Sequence, residues 1–181
     1  MVATLAEILP QAARRHKDRI ALIVEEQQFS FRELDAMSNR VANGLAAIGI
    51  QPGDRVSLFG ANSWQWLVSY YGIVKTGAVV NPLNTMLTPE EVRFTVSDAG
   101  SRVVLAAADK ASTLLVLKGA GNLTDLVFWG EAPVSGARML NDWLQRASPE
   151  FTAPPRRPAD LAAICYTSGY DGIPEGRDAE S

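Results

Sequence analysis

The sequence predicts an α/β protein built on a mostly parallel sheet with helices on both of its faces. Short apolar stretches alternate with longer amphipathic stretches along its 181 residues. Several short stretches, such as residues 103–107, are continuous apolar runs. Such runs are typical of parallel strands buried on both faces, and the alternation of strand and helix is typical of parallel α/β sheets. A composition of 47% hydrophobic and 20% charged residues suits one sizeable globular unit.

The amino-terminal segment predicts a helix followed by a hairpin. Residues 2–15 place apolar side chains on one stripe, which favours docking onto the core over a helix lying on a membrane surface. Residues 20–24 and 29–31 are apolar stretches separated by the polar residues 25–28, which predicts two antiparallel strands.

The next segment predicts two helices with a strand between them. Ser30 and Glu33 form a capping-box pattern, which opens a helix that Gly49 closes. Residues 56–59 predict a short strand. Residues 64–76 are apolar nearly all round, which predicts a helix buried on every side.

The middle of the chain predicts two strands with a helix between them. Residues 78–82 predict the first strand. The sequence Thr-Pro-Glu-Glu at 88–91 combines a threonine cap, a proline at the first helical position and a glutamate three residues after the cap. This pattern predicts a helix start. Gly100 ends that helix, and residues 102–107 predict the next strand.

The last third of the chain predicts a helix over 110–119, a strand over 126–129 and a helix over 139–146. A polar, proline-rich link over 148–158 then leads to a final strand that starts at Leu161.

Charge and hydropathy exclude several classes of function. The net charge is −3 and charges of both signs are interspersed, so electrostatics give no support to a nucleic-acid partner. We find no secretory signal pattern, and no apolar run approaches the roughly 20 residues that span a bilayer. We therefore expect a cytoplasmic protein without a membrane span.

Few side chains are suited to covalent or acid–base chemistry. His16 is the only histidine, which excludes triads and histidine-based metal sites within the chain, and we expect it to be solvated. Cys165 is the only cysteine and lies in an apolar stretch, so a buried structural thiol is favoured over a nucleophile. The four tryptophans are expected to serve packing. We therefore assign no catalytic residue and no metal ligand.

An apolar stretch runs into a Thr-Ser-Gly turn near the end of the sequence, at residues 163–169. Such a turn shapes a backbone to wrap a phosphate. Gly172 and Gly176 follow it, but they lie only four residues apart and lack the lysine of a Walker loop, and no Gly-x-Gly-x-x-Gly fingerprint occurs. The predicted phosphate-binding residues are Thr167, Ser168, Gly169, Gly172 and Gly176.

Many blocks of this sequence resemble, in the same order, the amino-terminal part of the acyl-CoA synthetases in the adenylate-forming enzyme superfamily. The blocks are Phe29 to Leu34, Asn39 to Ala42, Gly49 to Val56, Asn62-Ser63, Lys75 to Asn84 and Tyr166 to Gly169. The resemblance implies an amino-terminal α/β subdomain from an enzyme that joins a carboxylic acid, in particular a fatty acid, to CoA. It implies ATP with Mg²⁺ and CoA as cofactors, and an acyl-AMP intermediate from which CoA displaces AMP.

The loop departs from the family pattern at three positions. The family continues with Thr-Thr-Gly-x-Pro-Lys-Gly-Val, whereas this chain has Tyr170, Asp171 and Glu175 in place of the two threonines and the lysine. Two hydroxyls and a cation are thus replaced by a phenol and two carboxylates, and carboxylates repel a polyphosphate. Since only the glycine spacing is kept, we expect the chain on its own to bind no cofactor tightly.

A shift of the reading frame by one nucleotide is our hypothesis for the origin of the tail. Codons for residues 170–181 exist that, read one nucleotide downstream, encode Thr-Thr-Gly, one further residue and then Pro-Lys-Gly-Val-Met-Leu-Ser-His. We therefore expect an inserted nucleotide after the codon of Gly169, with a naturally diverged tail as the alternative. This divides the chain into an α/β unit over 1–160 and a final strand with a degenerate loop over 161–181.

The resemblance implies that the chain is a truncated fragment of an ATP-dependent acyl-CoA synthetase and is inactive on its own, because the family's remaining binding and catalytic parts lie beyond Ser181. Two alternatives stay open. One is a non-catalytic module that binds a partner or pairs with itself through exposed apolar surface. The other is one half of a split ligase whose remainder is separately encoded. Light scattering tests the first alternative, and activity restored by a second chain tests the other.

Overall fold

The computed structural model describes residues 4–167 and confirms the predicted α/β class. Strands and helices alternate along most of the chain. In order they are α1 (Leu5–His16), β1 (Ile20–Val24), β2 (Gln27–Ser30), α2 (Phe31–Ala47), β3 (Arg55–Phe59), α3 (Trp64–Lys75), β4 (Val79–Leu83), α4 (Pro89–Asp98), β5 (Val103–Ala107), α5 (Ala111–Leu115), β6 (Asp125–Trp129), β7 (Arg138–Met139) and α6 (Leu140–Arg146).

Five strands form one parallel sheet in the order β4-β3-β5-β6-β7. The chain passes from β3 to β4 at one edge and then returns past β3 to β5, β6 and β7. Because crossovers between parallel strands are right-handed, this reversal places α3 on one face of the sheet and α4 on the other. β1 and β2 form a separate antiparallel hairpin, as predicted.

Successive strand residues face two hydrophobic clusters on opposite sides of the sheet. On one side, Leu58 and Leu105 pack with buried side chains of α1, α2, α3 and α6. On the other side, Phe59 and Phe128 pack with buried side chains of α4 and α5. Helices therefore cover both faces, which is why apolar residues face both sides of the central strands. The predicted docking of the amino-terminal helix onto the core is confirmed by Leu9.

The predicted helix starts are confirmed by their hydrogen bonds. The Glu33 N–H donates to the Ser30 hydroxyl at 3.2 Å, and the Ser30 N–H donates to the Glu33 carboxylate at 2.8 Å. Thr88 and Glu91 make the same reciprocal pair at the start of α4. The bond from the Ser30 backbone, followed by that from its hydroxyl, holds the pKa of the Glu33 carboxyl below its ordinary value. Both pairs satisfy backbone donors that the first helical turn leaves free.

Some predicted boundaries in the last third are wrong. The helix expected over 110–119 is reduced to α5, which ends at Leu115. Gly119 and Gly121 adopt φ angles of +84° and +57°, so the chain turns where a longer helix was expected. The two-residue strand β7 was not predicted, because so short a stretch carries no periodic signal.

α3 is less uniformly buried than its composition predicts. Its last turn is buried from Gly72 to Lys75, whereas Trp64, Trp66 and Tyr70 earlier in the helix are only partly buried. Within residues 4–167, no helix is long and apolar enough to cross a bilayer.

The polar link after α6 is bound to α2 by three side chains. Arg40 donates to the carbonyl oxygen of Ala147, and Asn39 donates to that of Pro149 at 2.8 Å. Asn43 donates to the carbonyl oxygens of both Ser148 and Glu150, at 2.9 and 2.8 Å. The first residues of the predicted link therefore belong to the packed unit.

Gly72 allows α3 to approach α2 closely. A Cβ atom at this position would lie 2.5 Å from Cγ1 of Val41 and 3.1 Å from the carbonyl oxygen of Ser38. We expect Gly72→Ala to lower the free energy of unfolding by about 1–3 kcal/mol, because overpacking outweighs the better helix propensity of alanine. Urea unfolding followed by circular dichroism measures this change.

The double variant Gly72→Ala/Val41→Gly is the matched control for this contact. Replacing Val41 by glycine removes both side-chain atoms that crowd the added methyl group, Cγ1 at 2.5 Å and Cβ at 2.6 Å, so the double variant should lose less stability than the sum of the two single losses. A single Gly72→Ala variant as stable as the original chain would contradict the close approach.

Candidate functional site

The segment before the predicted phosphate loop lies along the β4 edge of the sheet. The Val80 N–H donates to the carbonyl oxygen of Ala162 at 3.0 Å, and the Ile164 N–H donates to that of Val80 at 2.9 Å. Ala163 and Val80 thereby form an isolated parallel bridge. Because the bridge is parallel to β4, the chain leaves the sheet at its carboxyl edge, which is where α/β sheets bind ligands.

The prediction of a final strand from Leu161 is wrong, because this segment makes only that one bridge. In the same ladder the next donor on β4 belongs to Pro82, and proline has no backbone N–H. The ladder therefore ends two residues after Val80, and the chain beyond Ile164 is held in another way.

A side-chain contact holds the segment to α4 instead. The Tyr166 hydroxyl donates a hydrogen bond to Oδ2 of Asp98 at 2.5 Å. Short bonds of this kind are typical of a hydroxyl on a carboxylate. Burial, followed by the bond to and the negative charge of Asp98, raises the pKa of the Tyr166 hydroxyl to about 12. The contact ties the chain directly before Thr167 to the end of a helix on the other side of the sheet.

This raised pKa predicts how the contact depends on pH. An unfolded tyrosine titrates near 10, and a group whose folded pKa is higher contributes stability that is complete below about pH 10 and is lost as pH rises through about 12. We therefore expect phenolate absorbance to show a late tyrosine transition near pH 12. The Tyr166→Phe variant should lack this late transition. If the variant instead lacks a tyrosine transition near pH 10, the contact is contradicted.

Most of the predicted phosphate-binding residues lie outside the described residues. Thr167 is exposed at the end of the described chain, whereas Ser168, Gly169, Gly172 and Gly176 lie beyond it.

The predicted burial of Cys165 is wrong, since its thiol is exposed. An apolar stretch implies burial only where an element covers it, and in residues 4–167 this segment is paired on one side alone. Tyr70 is its neighbour on α3. The pKa of the Tyr70 hydroxyl is raised by burial first, and then by Tyr71 and Cys165.

The other residues singled out in the sequence serve packing. His16 is partly buried against Phe31, with 5.0 Å between ring centroids, and is thus less solvated than predicted. Trp129 is buried in the core, and the other three tryptophans pack against the same cluster, as predicted.

Trp129 also fills the crevice in which doubly wound sheets bind ligands. That crevice lies between β3 and β5, where the chain leaves neighbouring strands toward opposite faces. A Cβ atom on Gly60, directly after β3, would lie 2.6 Å from the indole of Trp129. The candidate site is therefore the β4 edge, at residues 163–167.

Sequence reasoning missed a buried lysine among the family blocks. Lys75 is 2% exposed, and its ammonium group donates to Asp35 Oδ1 at 2.7 Å, Ser38 Oγ at 2.6 Å and Asn39 Oδ1 at 2.7 Å. Burial lowers the pKa of this lysine, while the hydrogen bond to and the charge of Asp35 oppose that effect. Its donors are all used within the α2–α3 interface, so it is not available to a phosphate.

Three polar side chains form a hydrogen-bonded row on the sheet face that α4 covers. Asn81 donates to the Ser57 hydroxyl at 3.0 Å, and Ser57 shares a hydrogen bond of 2.7 Å with Ser101. These side chains join β3, β4 and the start of β5 beneath α4. They position the carboxyl edge of the sheet and do not reach it.

The described residues offer binding geometry but no catalytic group. Across residues 4–167, no three His, Cys, Asp or Glu side chains are placed to hold a metal ion. The carboxylates and cations of the family blocks are engaged in structural bonds, such as Asp54 with Arg102 at 2.5 Å. What this edge can do is present backbone groups and the Thr167 hydroxyl to a ligand.

Comparison with known proteins shows one consistent family. Proteins described as AMP-binding enzymes match residues 9–176. The long-chain-fatty-acid–CoA ligase FadD13 of Mycobacterium tuberculosis (strain ATCC 25618 / H37Rv) is 35% identical over 153 residues, which is 82% of this chain and 29% of that protein. The 3-hydroxybenzoate–CoA ligase of Aromatoleum sp. (strain CIB) is 31% identical over 92% of this chain and 32% of its own length.

Solved structures agree with this result. The anthranilate CoA ligase AuaEII in complex with anthranoyl-AMP superposes with a TM-score of 0.88 at 27% identity, over 92% of this chain and 32% of that one. The inhibitor-bound N-terminal domain of FACL13 from Mycobacterium tuberculosis superposes with a TM-score of 0.83 at 30% identity, over 95% of this chain and 43% of that domain. The chain thus spans about a third of the length of these full-length relatives.

Proposed function

This chain belongs to the AMP-binding enzyme family, and from that membership we propose that it forms the amino-terminal part of an ATP-dependent ligase that joins a carboxylic acid to CoA. The observation that carries the proposal is the superposition on a CoA ligase in complex with an acyl-adenylate, with a TM-score of 0.88 over 92% of this chain. The candidate edge, with Thr167 at its end, is the part of this chain assigned to nucleotide.

The proposed reaction has two steps. A carboxylate oxygen of the acid attacks the α-phosphorus of ATP, the bond to pyrophosphate breaks, and acyl-AMP forms. The sulfur of CoA then attacks the acyl carbon, AMP leaves with the electron pair, and the thiol proton passes to solvent. Thr167, Ser168, Gly169, Gly172 and Gly176 are assigned the phosphates of ATP through backbone N–H groups and hydroxyls, and Mg²⁺ accompanies the nucleotide.

A fatty acid is the proposed acid substrate. The identity of 35% with a long-chain-fatty-acid–CoA ligase supports this choice. An aromatic acid is the alternative, supported by the 31% identity with a 3-hydroxybenzoate–CoA ligase. Both are ligases of a carboxylic acid and CoA, so the reaction class does not depend on this choice.

We propose further that these 181 residues do not catalyse the reaction alone. Adenylation requires the acid, the nucleotide and a positioned cation at one place. Lys75 is committed to Asp35, and the tail carries Asp171 and Glu175 where the family pattern has a hydroxyl and a cation. We also propose that the α/β unit ends at residue 160 and that the reading frame changes after the codon of Gly169.

An assay with the purified chain tests this proposal. The chain is incubated with MgATP, CoA and either dodecanoate or 3-hydroxybenzoate, and AMP and acyl-CoA are separated by chromatography. We expect neither product above a protein-free blank. The coding DNA is then sequenced through the stop codon, and the assay is repeated after deletion of one nucleotide after the Gly169 codon.

The repaired product should form AMP and acyl-CoA in equal amounts. Formation of AMP by the unrepaired chain would contradict its inactivity. A DNA sequence with no family continuation in the shifted frame would contradict the altered frame.

Self-association is a second candidate function, favoured by exposed apolar side chains. Met86, Phe94, Val116 and Leu161 are each more than half exposed. Exposed apolar surface favours protein–protein contact. Light scattering over a range of concentrations tests this candidate, and a constant monomer mass at high concentration contradicts it.

A further inference from the structure

Positive charge is concentrated at the carboxyl end of α1. Residues 14–19 contain four cationic side chains and a single carboxylate, that of Asp18, although the whole chain has a net charge of −3. The four cationic side chains are exposed, and within residues 4–167 none of them belongs to an ion pair. We call these four residues the cationic patch; they are Arg14, Arg15, Lys17 and Arg19.

Backbone hydrogen bonds fix the place of this patch. The Lys17 N–H donates to the carbonyl oxygen of Ala13 at 2.9 Å, and the Arg19 N–H donates to that of His16 at 3.0 Å. The Arg32 N–H donates to the carbonyl oxygen of Lys17 at 3.1 Å. A tight turn therefore follows α1 and is attached to the start of α2, so the patch belongs to the packed unit.

The carboxylates near the patch do little to neutralise it. Asp18 pairs with Arg32 at 3.3 Å, and both of these side chains are exposed. Glu33 is engaged in the capping box of α2. The glutamates at residues 25–26 follow the far end of β1, about 15–20 Å from Arg19 at the ordinary rise of a strand. At 0.1 M salt, exposed charges act over only about 10 Å, so these two do not offset the patch at Arg19.

Exposed isoleucines continue the surface beyond the patch. Ile20 directly follows Arg19 and is 49% exposed, and Ile23 is 63% exposed. Leu22 of the same strand packs against the core, so the adjacent Ile23 points to the outer side of the hairpin. Its partner on β2, Gln28, is exposed as well. Cationic and aliphatic side chains thus adjoin one another on the outside of the molecule.

An anionic lipid bilayer combines what this surface requires. Headgroup phosphates attract cations, and the boundary between headgroups and acyl chains accepts apolar side chains. A nucleic acid fits less well, because its phosphates give Ile20 and Ile23 nothing to bind and its bases stack on aromatic rings. α1 itself stays docked on the core, since Leu9 and Ala13 are buried there. The contact surface is therefore the end of the helix together with the outer side of the hairpin.

We propose that the cationic patch, with Ile20 and Ile23 next to it, docks on the surface of an anionic lipid bilayer. The cations lie at the level of the headgroup phosphates, and the two isoleucines enter the boundary below them. The contact is peripheral and reversible, because two aliphatic side chains bury far less apolar area than a spanning helix does. This inference goes beyond the proposed ligase activity and does not depend on it.

Co-sedimentation of the full 181-residue chain with lipid vesicles tests the proposal. One set of vesicles contains equal parts of phosphatidylcholine and phosphatidylglycerol, and the other set contains phosphatidylcholine alone. We expect the chain to bind the first set at low ionic strength and not to bind the second. High salt should release the bound protein, because salt screens exposed charges.

Two independent pairs of substitutions each remove half of the patch. Arg14→Gln/Arg15→Gln and Lys17→Gln/Arg19→Gln should each weaken partition to the anionic vesicles about 25-fold, since one cation near such a surface contributes about fivefold. Ile23→Ser should weaken partition about three- to tenfold. These side chains are exposed, so every variant should keep the circular dichroism spectrum of the original chain.

Matched controls make the same kinds of change elsewhere on the molecule. Arg93→Gln/Arg146→Gln removes two exposed arginines, one on α4 and one on α6, and changes the net charge equally. Val116→Ser removes an aliphatic side chain that is 79% exposed after α5. Each control should alter partition by no more than about twofold, because the substituted side chains lie outside the proposed contact.

Several results would overturn the inference. Absence of binding to the anionic vesicles, or equal binding to both sets of vesicles, contradicts docking on an anionic bilayer. Equal losses in the patch variants and in the arginine control show an effect of net charge and contradict the assigned surface. If Ile23→Ser binds like the original chain and duplex DNA binds as tightly as the vesicles, the patch is a general polyanion site and the lipid partner is wrong. The chromatographic assay of AMP and acyl-CoA tests the ligase proposal separately from all of these.

Discussion

Replacing Tyr170 and Asp171 by threonine and Glu175 by lysine should tighten the binding of MgATP by this chain about 10- to 100-fold. The triple variant removes two carboxylates, adds one ammonium group and adds two hydroxyl donors. Opposite charges near a polyphosphate attract it, and hydrogen bonds to phosphate oxygens are stronger than those between neutral groups. Isothermal titration calorimetry at low ionic strength measures the change.

The matched control makes the same change of net charge outside the loop. Glu25→Gln with Glu26→Lys does so in the turn between β1 and β2. It should alter MgATP affinity far less, because it places no ammonium group or hydroxyl within the loop to bind phosphate oxygens directly. An equal gain from both variants would show a general effect of charge and would argue against a phosphate site in residues 167–176.

Lys75→Met should lower the free energy of unfolding by about 3 kcal/mol. Methionine fills a similar volume, so the cost comes from the groups that the ammonium leaves behind. Asp35 loses its 2.7 Å partner while 21% exposed, and the buried Ser38 hydroxyl loses its 2.6 Å donor. Removing one partner of a buried ion pair costs about 3–5 kcal/mol, and the partial exposure of Asp35 places this case at the lower end.

Lys110→Met is the control for loss of a lysine charge. Lys110 is 25% exposed and pairs with the exposed Asp109 next to it in sequence. Such pairs contribute about 0–1 kcal/mol, so the variant should unfold within about 0.5 kcal/mol of the original chain. Denaturant unfolding curves compare the three proteins, and equal midpoints for both variants would contradict the structural role of Lys75.

Features encoded by neighbouring residues were predictable from the sequence. The capping pairs Ser30–Glu33 and Thr88–Glu91 depend on residues three apart, and the structure shows both. Continuous apolar runs predicted a parallel sheet covered on both faces, and the two hydrophobic clusters confirm it.

Features that depend on distant residues were not predictable in this way. The predicted final strand does not form because its neighbour on β4 is Pro82, which has no backbone N–H to donate. No residue near Leu161 in the sequence indicates that this proline will lie beside it. The exposure of Cys165 likewise depends on what covers its segment. The Tyr166–Asp98 bond joins residues 68 positions apart.

The blocks that carry the family resemblance serve the fold more than the chemistry. Asn39 and Arg40 bind the link after α6, and Arg55 holds the end of α4. Lys75 joins α2 to α3. The resemblance was thus a sound guide to architecture, while the proposed phosphate contacts of residues 167–176 are what the MgATP titration tests.

The order of the strands also bears on biosynthesis. The last strand of the sheet ends at Met139, and the last buried side chain of either hydrophobic cluster is Leu140. Domains fold as units during synthesis, from the amino terminus onward. A nascent chain can therefore close this unit before residues 162–164 leave the ribosome, and that segment then meets a finished edge at β4.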